Sequence, residues 1–371
     1  MKIGTVKELK QHEYRVGLTP NSAREYVKRG HEVYVQAGAG TGSGFTDEMY
    51  MKEGCSILEK AADVYSLVDM IVKVKEPLEP ELKLIREGQV LFTYLHLAAD
   101  RQLTQALMDT GCIGVAYETI VGPDGELPCL KPMSQIAGRL SIQEGAKYLE
   151  KPFGGRGVLL SGVPGVSKAK VAIIGAGIVG INAAKIATGI GAQVTILDID
   201  LNRLEYVEDV FGNTINTMYS TPGNVKRALH EADLVVGAVL RPGAAAPKII
   251  KKSYLGNMKE GSVIVDVAID QGGCTEVSHP TYHDDPVYVV DGVVFYCVGN
   301  MPGAVSNTST NALNNATLPY GLAIAEKGIA AAMKEDEGLL MGLNLYHGKL
   351  TCQGVADSFG MECTNPAQAV E

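Results

Sequence analysis

Short apolar runs alternate along this chain with stretches whose apolar residues recur at helical spacing. In the first third, each apolar run is short enough for a buried strand and is followed by a turn residue and an amphipathic stretch. The predicted strands are 2–6, 33–36, 70–74, 90–95 and 113–117, and the predicted helices are 22–29, 58–67, 79–86 and 101–108. Repeated strand–helix units of this kind predict a mostly parallel sheet.

The alternation pauses at 120–133, where Gly and Pro recur and a linker is predicted. A helix over 134–150 is expected to cross to a second domain, and 152–168 is a glycine-rich loop. The second series of predicted strands is 171–174, 194–197, 234–239, 263–268 and 293–298. The strand at 234–239 leads into Arg241-Pro242-Gly243.

After Pro302 the pattern is helical, over 304–316, 320–333 and 336–343. It holds too little strand character to extend a sheet, so we expect this tail to return to the first domain. The sequence thus predicts an α/β fold of two Rossmann-like, doubly wound parallel-sheet domains, with a cleft between them and crossing helices joining them. The expected substrate domain is 1–128 with 307–371, and the expected cofactor domain is 129–306.

The stretch 171–198 has the order strand, glycine turn, helix, strand, acid. Its turn is G-x-G-x-x-G, formed by Gly175, Gly177 and Gly180. The first glycine permits the tight turn, the second admits a pyrophosphate at the helix N-terminus, and the third allows helix and strand to pack closely. Asp198 ends the second strand, where a carboxylate accepts hydrogen bonds from ribose hydroxyls. A purely structural glycine turn is the alternative.

The carboxylate of Asp198 would repel a 2′-phosphate, so the sequence favours NAD over NADP. Ile199 and Asp200 supply no positive charge, whereas Arg203 lies close by and argues the other way. The predicted cofactor is therefore NAD.

Composition narrows the class of protein. The chain has 371 residues, 46% of them hydrophobic, with 43 glycines and a formal charge of −9. This acidity argues against a nucleic-acid partner. No apolar run reaches transmembrane length and the N-terminus turns polar at once, so we expect a cytoplasmic protein without a signal peptide. The seven cysteines form no C-x-x-C pair and are expected to be reduced.

Two other patterns are weaker. The glycine-rich segment 38–44 has its third glycine out of register for a phosphate loop, and we interpret it as a surface loop. His279 and His283 lie four residues apart, as metal ligands on a helix do, but Pro280 interrupts such a helix. No metal is predicted.

Charged residues follow several of the predicted strands. Ligands bind beyond the carboxyl ends of parallel strands, and Arg15, Lys75 and His96 stand after strands of the first domain. Two cations suit an anionic substrate, and a histidine with a pKa of about 6.5 exchanges protons near neutral pH. In the second domain Asp270 and the 299–301 segment are expected near the nicotinamide. Solvated charges, a structural histidine and a turn-forming aspartate are the alternatives.

Several stretches of the chain match a known family: Lys7-Glu8, 14–20, 72–77, 95–98, Met133-Ser134, 175–180, 266–273 and 298–303. Through them the whole chain resembles the alanine dehydrogenase family. The resemblance implies that Arg15 and Lys75 bind substrate and that His96 and Asp270 are the catalytic pair. It adds cofactor contacts from Ser134, Asp198, Arg203, Ser220, Val239, Asn300 and Met301 to those predicted from the three glycines of the turn.

The resemblance further implies the activity: NAD-dependent, reversible conversion of L-alanine to pyruvate and ammonia, by a homohexamer. One rival is the NAD-binding component of proton-translocating transhydrogenase, which exchanges hydride with a partner protein. The Asp270-Gln271-Gly272-Gly273 segment and the lack of membrane segments favour the dehydrogenase. The other rival is a non-catalytic NAD sensor, and turnover of NADH with pyruvate and ammonium separates all three.

Overall fold

The computed structural model describes residues 1–239 and 245–371. Arg241, Pro242 and Gly243, expected to follow a strand, therefore lie outside the described residues. The chain divides into two compact units: a first unit of Met1–Met133 with Gly303–Glu371, and a second unit of Ser134–Pro302. Which unit binds substrate and which binds cofactor stays a prediction at this point.

The N-terminal segment of the first unit has six strands and five helices, and the chain then enters a long helix, α6, which begins at Lys131. The strands are β1 Lys2–Thr5, β2 Glu32–Gln36, β3 Ser56–Leu58, β4 Met70–Val72, β5 Val90–Thr93 and β6 Ile113–Ala116. The helices are α1 Pro20–Lys28, α2 Asp47–Lys52, α3 Ala61–Leu67, α4 Glu79–Leu82, α5 Arg101–Thr110 and α6 Lys131–Tyr148.

The described residues of the second unit form seven strands. They are β7 Lys170–Ile174, β8 Gln193–Asp198, β9 Ile215–Tyr219, β10 Leu234–Gly237, β11 Val263–Asp266, β12 Val287–Val290 and β13 Val293–Tyr296. The helices between them are α7 Ile178–Ile190, α8 Leu201–Phe211, α9 Pro222–Glu231 and α10 Lys252–Leu255.

The chain then returns to the first unit, as we expected. Its helices there are α11 Ser306–Lys327, α12 Ile329–Glu335, α13 Glu337–Met341, α14 Gln353–Phe359 and α15 Pro366–Ala369, and its strands are β14 Leu343–Tyr346 and β15 Lys349–Leu350. The expectation that this tail cannot extend the sheet is wrong, because β14 pairs antiparallel with β6 and β15 pairs with β14.

Both sheets are mostly parallel, which confirms the predicted fold class. Their orders are β15-β14-β6-β5-β4-β1-β2-β3 and β12-β13-β11-β10-β7-β8-β9. In each sheet the chain begins at a central strand, β1 or β7, and places its next two strands on one side of it. The later strands lie on the other side, which gives the 3-2-1-4-5-6 order of dinucleotide-binding folds. The order therefore reverses between β1 and β4 in the first unit and between β7 and β10 in the second.

The central strands are apolar throughout because helices cover both faces of each sheet. Every residue of the central strands β4, β5, β6 and β10 is buried. The seven cysteines have free thiols, and only Cys352 and Cys363 are not fully buried.

Several element boundaries differ from the prediction. The 58–67 segment is a strand followed by a helix, and only the first turn of 79–86 is helical. The segments 304–316 and 320–333 are not two helices divided at Pro319, because α11 continues through that proline. The predicted linker ends within α6.

The 38–44 segment is less exposed than a surface loop. The Ser43 hydroxyl lies 2.9 Å from that of Thr310, and Asn307 donates to the Ser43 carbonyl at 2.6 Å, so the segment packs on α11. The expectation of a surface loop holds only for its exposed residues.

Candidate active site

A tight turn at Gly175 connects β7 to α7 in the second unit. The φ of Gly175 is +107°, and a Cβ there would lie 2.6 Å from the Ala238 carbonyl oxygen, so a side chain is excluded. A Cβ on Gly180 would lie only 1.8 Å from the Gly175 carbonyl oxygen. The third glycine therefore permits α7 to pack against the turn, which is the role expected from the sequence.

The N-terminus of α7 opens onto a cleft. Gly177 is the residue before this helix and makes no side-chain cap, so the first backbone N–H groups and the positive end of the helix dipole are left for an anion. A Cβ on Gly177 would meet Arg203 Nη1 at 3.4 Å. A pyrophosphate approaching this helix would therefore come close to a guanidinium.

Asp198 joins the glycine turn to the end of β8. Its Oδ2 accepts the N–H of Ala176 at 2.6 Å and its Oδ1 accepts the N–H of Asp200 at 2.9 Å. The carboxylate is half-buried beside the turn, where a ribose hydroxyl can reach it.

The cleft in the second unit has a volume of about 680 Å³, within the range of small-molecule sites. Seven of the predicted cofactor residues line it: Ser134, Gly175, Gly177, Asp198, Arg203, Ser220 and Val239. The sequence analysis missed a second group of lining residues, which includes Pro222, Lys248, Ile249, Lys251 and Tyr254. No motif distinguishes these residues, because their positions follow from the packing of loops rather than from a turn.

The remaining predicted residues of the second unit lie at the ends of β11 and β13. Asp266 at the end of β11 accepts the N–H groups of Ala268 and Cys274 and the Ser278 hydroxyl, at 3.2, 2.9 and 2.6 Å. These bonds hold the short helical turn Val267–Gln271 that carries Asp270, whose side chain is exposed.

Asp270 and the 299–301 segment lie against each other, and their predicted position near the nicotinamide stays a prediction. A Cβ on Gly299 would lie 3.1 Å from Asp270 Oδ1, so the absence of a side chain at Gly299 gives the carboxylate room. Asn300 follows with a φ of 57°, and Met301 is buried.

In the first unit, three predicted residues gather where the strand order reverses. Arg15 follows β1, Lys75 follows β4 and His96 follows β5. Ligands bind at such a reversal in open α/β sheets. The sequence could predict this grouping because it depends only on strand ends.

Arg15 is buried and held by a carboxylate. Its Nε and Nη2 donate to the two oxygens of Glu13 at 2.7 and 2.6 Å, and its Nη1 donates to Met133 Sδ at 3.1 Å. Burial disfavours the charge, but the Glu13 hydrogen bonds and charge raise the pKa of Arg15 overall. The guanidinium is therefore a fixed cation in a fixed orientation.

Lys75 and His96 contact each other. Lys75 Nζ lies 3.3 Å from His96 Nε2, and the imidazole stacks on the Tyr94 ring at 5.7 Å with an 11° angle between planes. Burial and the Lys75 charge lower the pKa of His96 to about 4, and burial and the Arg15 charge lower the pKa of Lys75. His96 is thus a neutral imidazole at neutral pH, whereas the sequence alone suggested an ordinary pKa.

The charge of Lys75 adds to burial in lowering the pKa of His96, and its share can be measured. We expect Lys75→Gln to raise the pKa of His96 to about 5 or higher, because a like charge beside the imidazole disappears while its burial remains. Selective ¹³C labelling of histidine and a pH titration of the His96 ring signal, assigned with His96→Ala, would measure it. A midpoint that stays near 4 would show that burial alone sets this pKa.

A buried ionic network lies beneath Lys75. Lys73 is fully buried, and its Nζ contacts Glu8 Oε2 at 3.2 Å and Glu81 Oε1 at 2.7 Å. Glu8 also accepts the N–H of Val74 at 2.7 Å, so the chain entering Lys75 is fixed. The sequence analysis quoted these residues only as part of a motif and assigned them no role.

Within residues 1–239 and 245–371, no three His, Cys, Asp or Glu side chains are arranged to hold a metal ion. His279 instead stacks on Tyr288, with ring centres 3.8 Å apart. Nor does any helix in that part of the chain combine the length and apolar character needed to cross a bilayer.

The second unit therefore has the strand order, glycine turn and terminal acid that together define a fold of the Rossmann class. Family models described as "Alanine dehydrogenase/PNT, N-terminal domain" and "Alanine dehydrogenase/PNT, C-terminal domain" match residues 4–137 and 141–353. The chain belongs to the alanine dehydrogenase family.

The sequences of individual relatives match this chain along its whole length. Proteins named alanine dehydrogenase from Halomonas elongata and Methanococcus maripaludis are each 53% identical, with 100% of both chains covered. A solved structure titled L-alanine dehydrogenase superposes with a TM-score of 0.95 at 51% identity, covering 97% of this chain and 99% of that one. A transhydrogenase structure from Sinorhizobium meliloti has a TM-score of 0.81 at 23% identity, covering 95% and 99%, and shares the fold.

Proposed function

We propose that this protein interconverts L-alanine and pyruvate, with release or uptake of ammonia, using NAD. The observation that carries the proposal is the full-length similarity, at 53% identity, to proteins named alanine dehydrogenase. The grouping of two cations and a neutral imidazole at the strand ends of the first unit supports it, because such a group suits a small carboxylic acid.

The residues of the second unit fit a dinucleotide. The cradle at Gly177, the open N-terminus of α7 and the neighbouring Arg203 suit a pyrophosphate, and Asp198 suits a ribose. The residues proposed to hold NAD are Ser134, Gly175, Gly177, Gly180, Asp198, Arg203, Ser220, Val239, Asn300 and Met301. NAD, when bound, would supply the acceptor for the hydride of the alanine Cα, and the negative charge of Asp198 would disfavour the 2′-phosphate of NADP.

Arg15 and Lys75 bind the substrate in this proposal. Arg15 supplies a permanent charge oriented by Glu13, and Lys75 is a cation next to His96. Charge-assisted bonds of this kind contribute about 1.5–3 kcal/mol each. Together they fix the carboxylate and carbonyl of a small keto acid.

His96 and Asp270 handle protons. Loss of hydride from alanine leaves an iminium, to which water adds, and the resulting carbinolamine releases ammonia to give pyruvate. His96, neutral because of its lowered pKa, accepts the proton of the attacking water and returns it in the reverse direction. Asp270, which is exposed on the helical turn Val267–Gln271 of the second unit, assists His96 in this proton transfer.

A direct assay of NADH oxidation tests the function. We expect NADH consumption that requires both pyruvate and ammonium, with NADPH a poor substitute. Hydride exchange between two dinucleotides without an amino acid would indicate a transhydrogenase-type protein instead. Tight NADH binding without turnover of any kind would indicate a sensor.

The substrate role of Arg15 has its own test. We expect Arg15→Lys to raise the KM for pyruvate about tenfold or more with a smaller change in kcat, because lysine lacks the planar fork that Glu13 orients. Steady-state kinetics with saturating NADH and ammonium would measure both constants. An unchanged KM would remove Arg15 from the substrate site.

The proposal extends to the setting in which the enzyme works. The resemblance implies a homohexamer, the hydrophobic pattern of the sequence predicts a cytoplasmic location, and both stay predictions. Its partners are then the small molecules L-alanine, pyruvate and ammonia, with neither nucleic acid nor a membrane.

A further inference from the structure

One carboxylate holds the chain at His96. Glu118 lies in the short helical turn Tyr117–Thr119, immediately after β6. Its Oε1 accepts the N–H of His96 at 2.6 Å and that of Leu95 at 3.1 Å, and its Oε2 lies 3.3 Å from the same Leu95 nitrogen. One carboxylate just after the end of β6 thus binds two consecutive backbone N–H groups in the segment that follows β5.

The backbone held in this way is strained. His96 has a φ of 49° and a ψ of 32°, in the left-handed region that residues with a side chain seldom adopt. Such a conformation persists only where the surroundings enforce it. The two hydrogen bonds to Glu118, together with the bond from the Ala99 N–H to the His96 carbonyl at 3.0 Å, enforce it here.

The strained turn decides where the imidazole goes. It directs the ring onto Tyr94 and to within 3.3 Å of Lys75 Nζ. Tyr94 is itself fixed, because its hydroxyl donates to the Cys129 carbonyl at 2.6 Å and its ring packs edge-on against Tyr117, the neighbour of Glu118. The ring and the turn are therefore set by the same few residues.

We propose that Glu118 is a positioning residue that fixes the left-handed turn at His96 and so aims the imidazole at the substrate. This inference rests on the proposed function, since it assigns His96 to proton transfer. Arg15 is held by Glu13, and the backbone leading into Lys75 is held at Val74 by Glu8, so loss of Glu118 removes hydrogen bonds from the chain that carries the proton-transferring group and from neither substrate cation.

Glu118→Met tests the proposal because it keeps a similar volume and removes both acceptor oxygens, whereas glutamine could keep the Oε1 acceptor that receives both N–H groups. We expect kcat to fall about ten- to a hundredfold, while the KM for pyruvate and the Kd for NADH change less than about threefold. Hydrogen–deuterium exchange read by mass spectrometry should become faster in peptides that cover 94–97. A role limited to stability would move the melting temperature without this split between kcat and KM.

Gln89→Leu is the matched control. Gln89 is buried at the opposite end of β5, where its Nε2 donates to the Tyr65 and Val68 carbonyls, both at 2.8 Å. We expect it to lower the melting temperature with kcat unchanged. Should Glu118→Met fold poorly, Glu118→Asp carries the same expectation, because its side chain is one methylene too short to reach both N–H groups.

Two results would overturn the proposal: a folded Glu118 variant with kcat within twofold of the unaltered protein, or a fall in kcat with exchange at 94–97 unchanged. Absence of turnover in the unaltered protein would overturn the proposed function instead. The exchange measurement would then still decide whether Glu118 holds this turn.

Discussion

Replacing His96 with alanine is expected to lower kcat for the amination of pyruvate at least about 10²-fold while leaving the Kd for NADH unchanged. The variant loses the neutral imidazole that Lys75 contacts at 3.3 Å. The cofactor cleft is built from residues of the second unit, so its affinity for NADH is retained. Steady-state kinetics and a fluorescence titration with NADH measure the two quantities.

His347 provides the matched control for this experiment. It is an exposed histidine with a φ of 46°, close to the 49° of His96, and it lies in the turn between β14 and β15. His347→Ala removes a left-handed histidine from the same unit and is expected to keep full activity. A His96→Ala variant with near-normal kcat would refute the proton-transfer role of His96, and the inference about Glu118 would be overturned with it.

The largest expected effect on stability comes from Lys73→Met. The substitution leaves Glu8 and Glu81 buried without their cation, and breaking a buried ion pair in this way costs about 3–5 kcal/mol. In a domain of this size such a loss lowers the melting temperature by roughly 10 °C. Differential scanning calorimetry of the full chain would show it as a shift of the transition of the first unit.

Lys83→Met is the control for that measurement. Lys83 pairs with Glu79 at 2.8 Å just beyond the first turn of α4, but both side chains are exposed, and exposed pairs contribute little to stability. We expect a shift of less than about 2 °C from Lys83→Met. Equal shifts in melting temperature for the two variants would mean that the buried network around Lys73 contributes no more to stability than the exposed Lys83–Glu79 pair.

The second unit shows which features a sequence can predict. The glycines of 175–180 constrain the backbone through local sterics, and Asp198 has a fixed distance from them along one strand–helix–strand unit. The apolar runs of the central strands are equally local. Such features depend on neighbours in sequence, so the α/β class and the parallel sheets were predicted and are confirmed.

Edge strands were missed for a physical reason. β9 has the sequence Ile-Asn-Thr-Met-Tyr and only Ile215 is buried, so it has neither an apolar run nor a clean alternation. β14 is short, and its partner β6 lies more than two hundred residues earlier in the chain. Pairing over such a separation depends on the tertiary fold, which local patterns do not contain.

The carboxylates around the predicted site were missed for a related reason. No local pattern indicates that Glu13 hydrogen-bonds the guanidinium of Arg15 through both oxygens, or that Glu118 binds the backbone that follows the neighbouring strand β5. Strand ends indicate which side chains gather, whereas the groups that orient them depend on side-chain packing. The lowered pKa of His96 likewise follows from burial and from Lys75, which only the three-dimensional arrangement supplies.

The antiparallel return of β14 to β6 affects the order in which a nascent chain can fold. The second unit is one continuous segment and is available to fold as soon as it has left the ribosome. The first unit must wait, because the outer edge of β6 stays unpaired until β14, which follows the whole second unit, has been synthesised. During that interval a fully apolar strand is open to pairing with other chains, so ribosome stalling late in translation exposes this protein to aggregation.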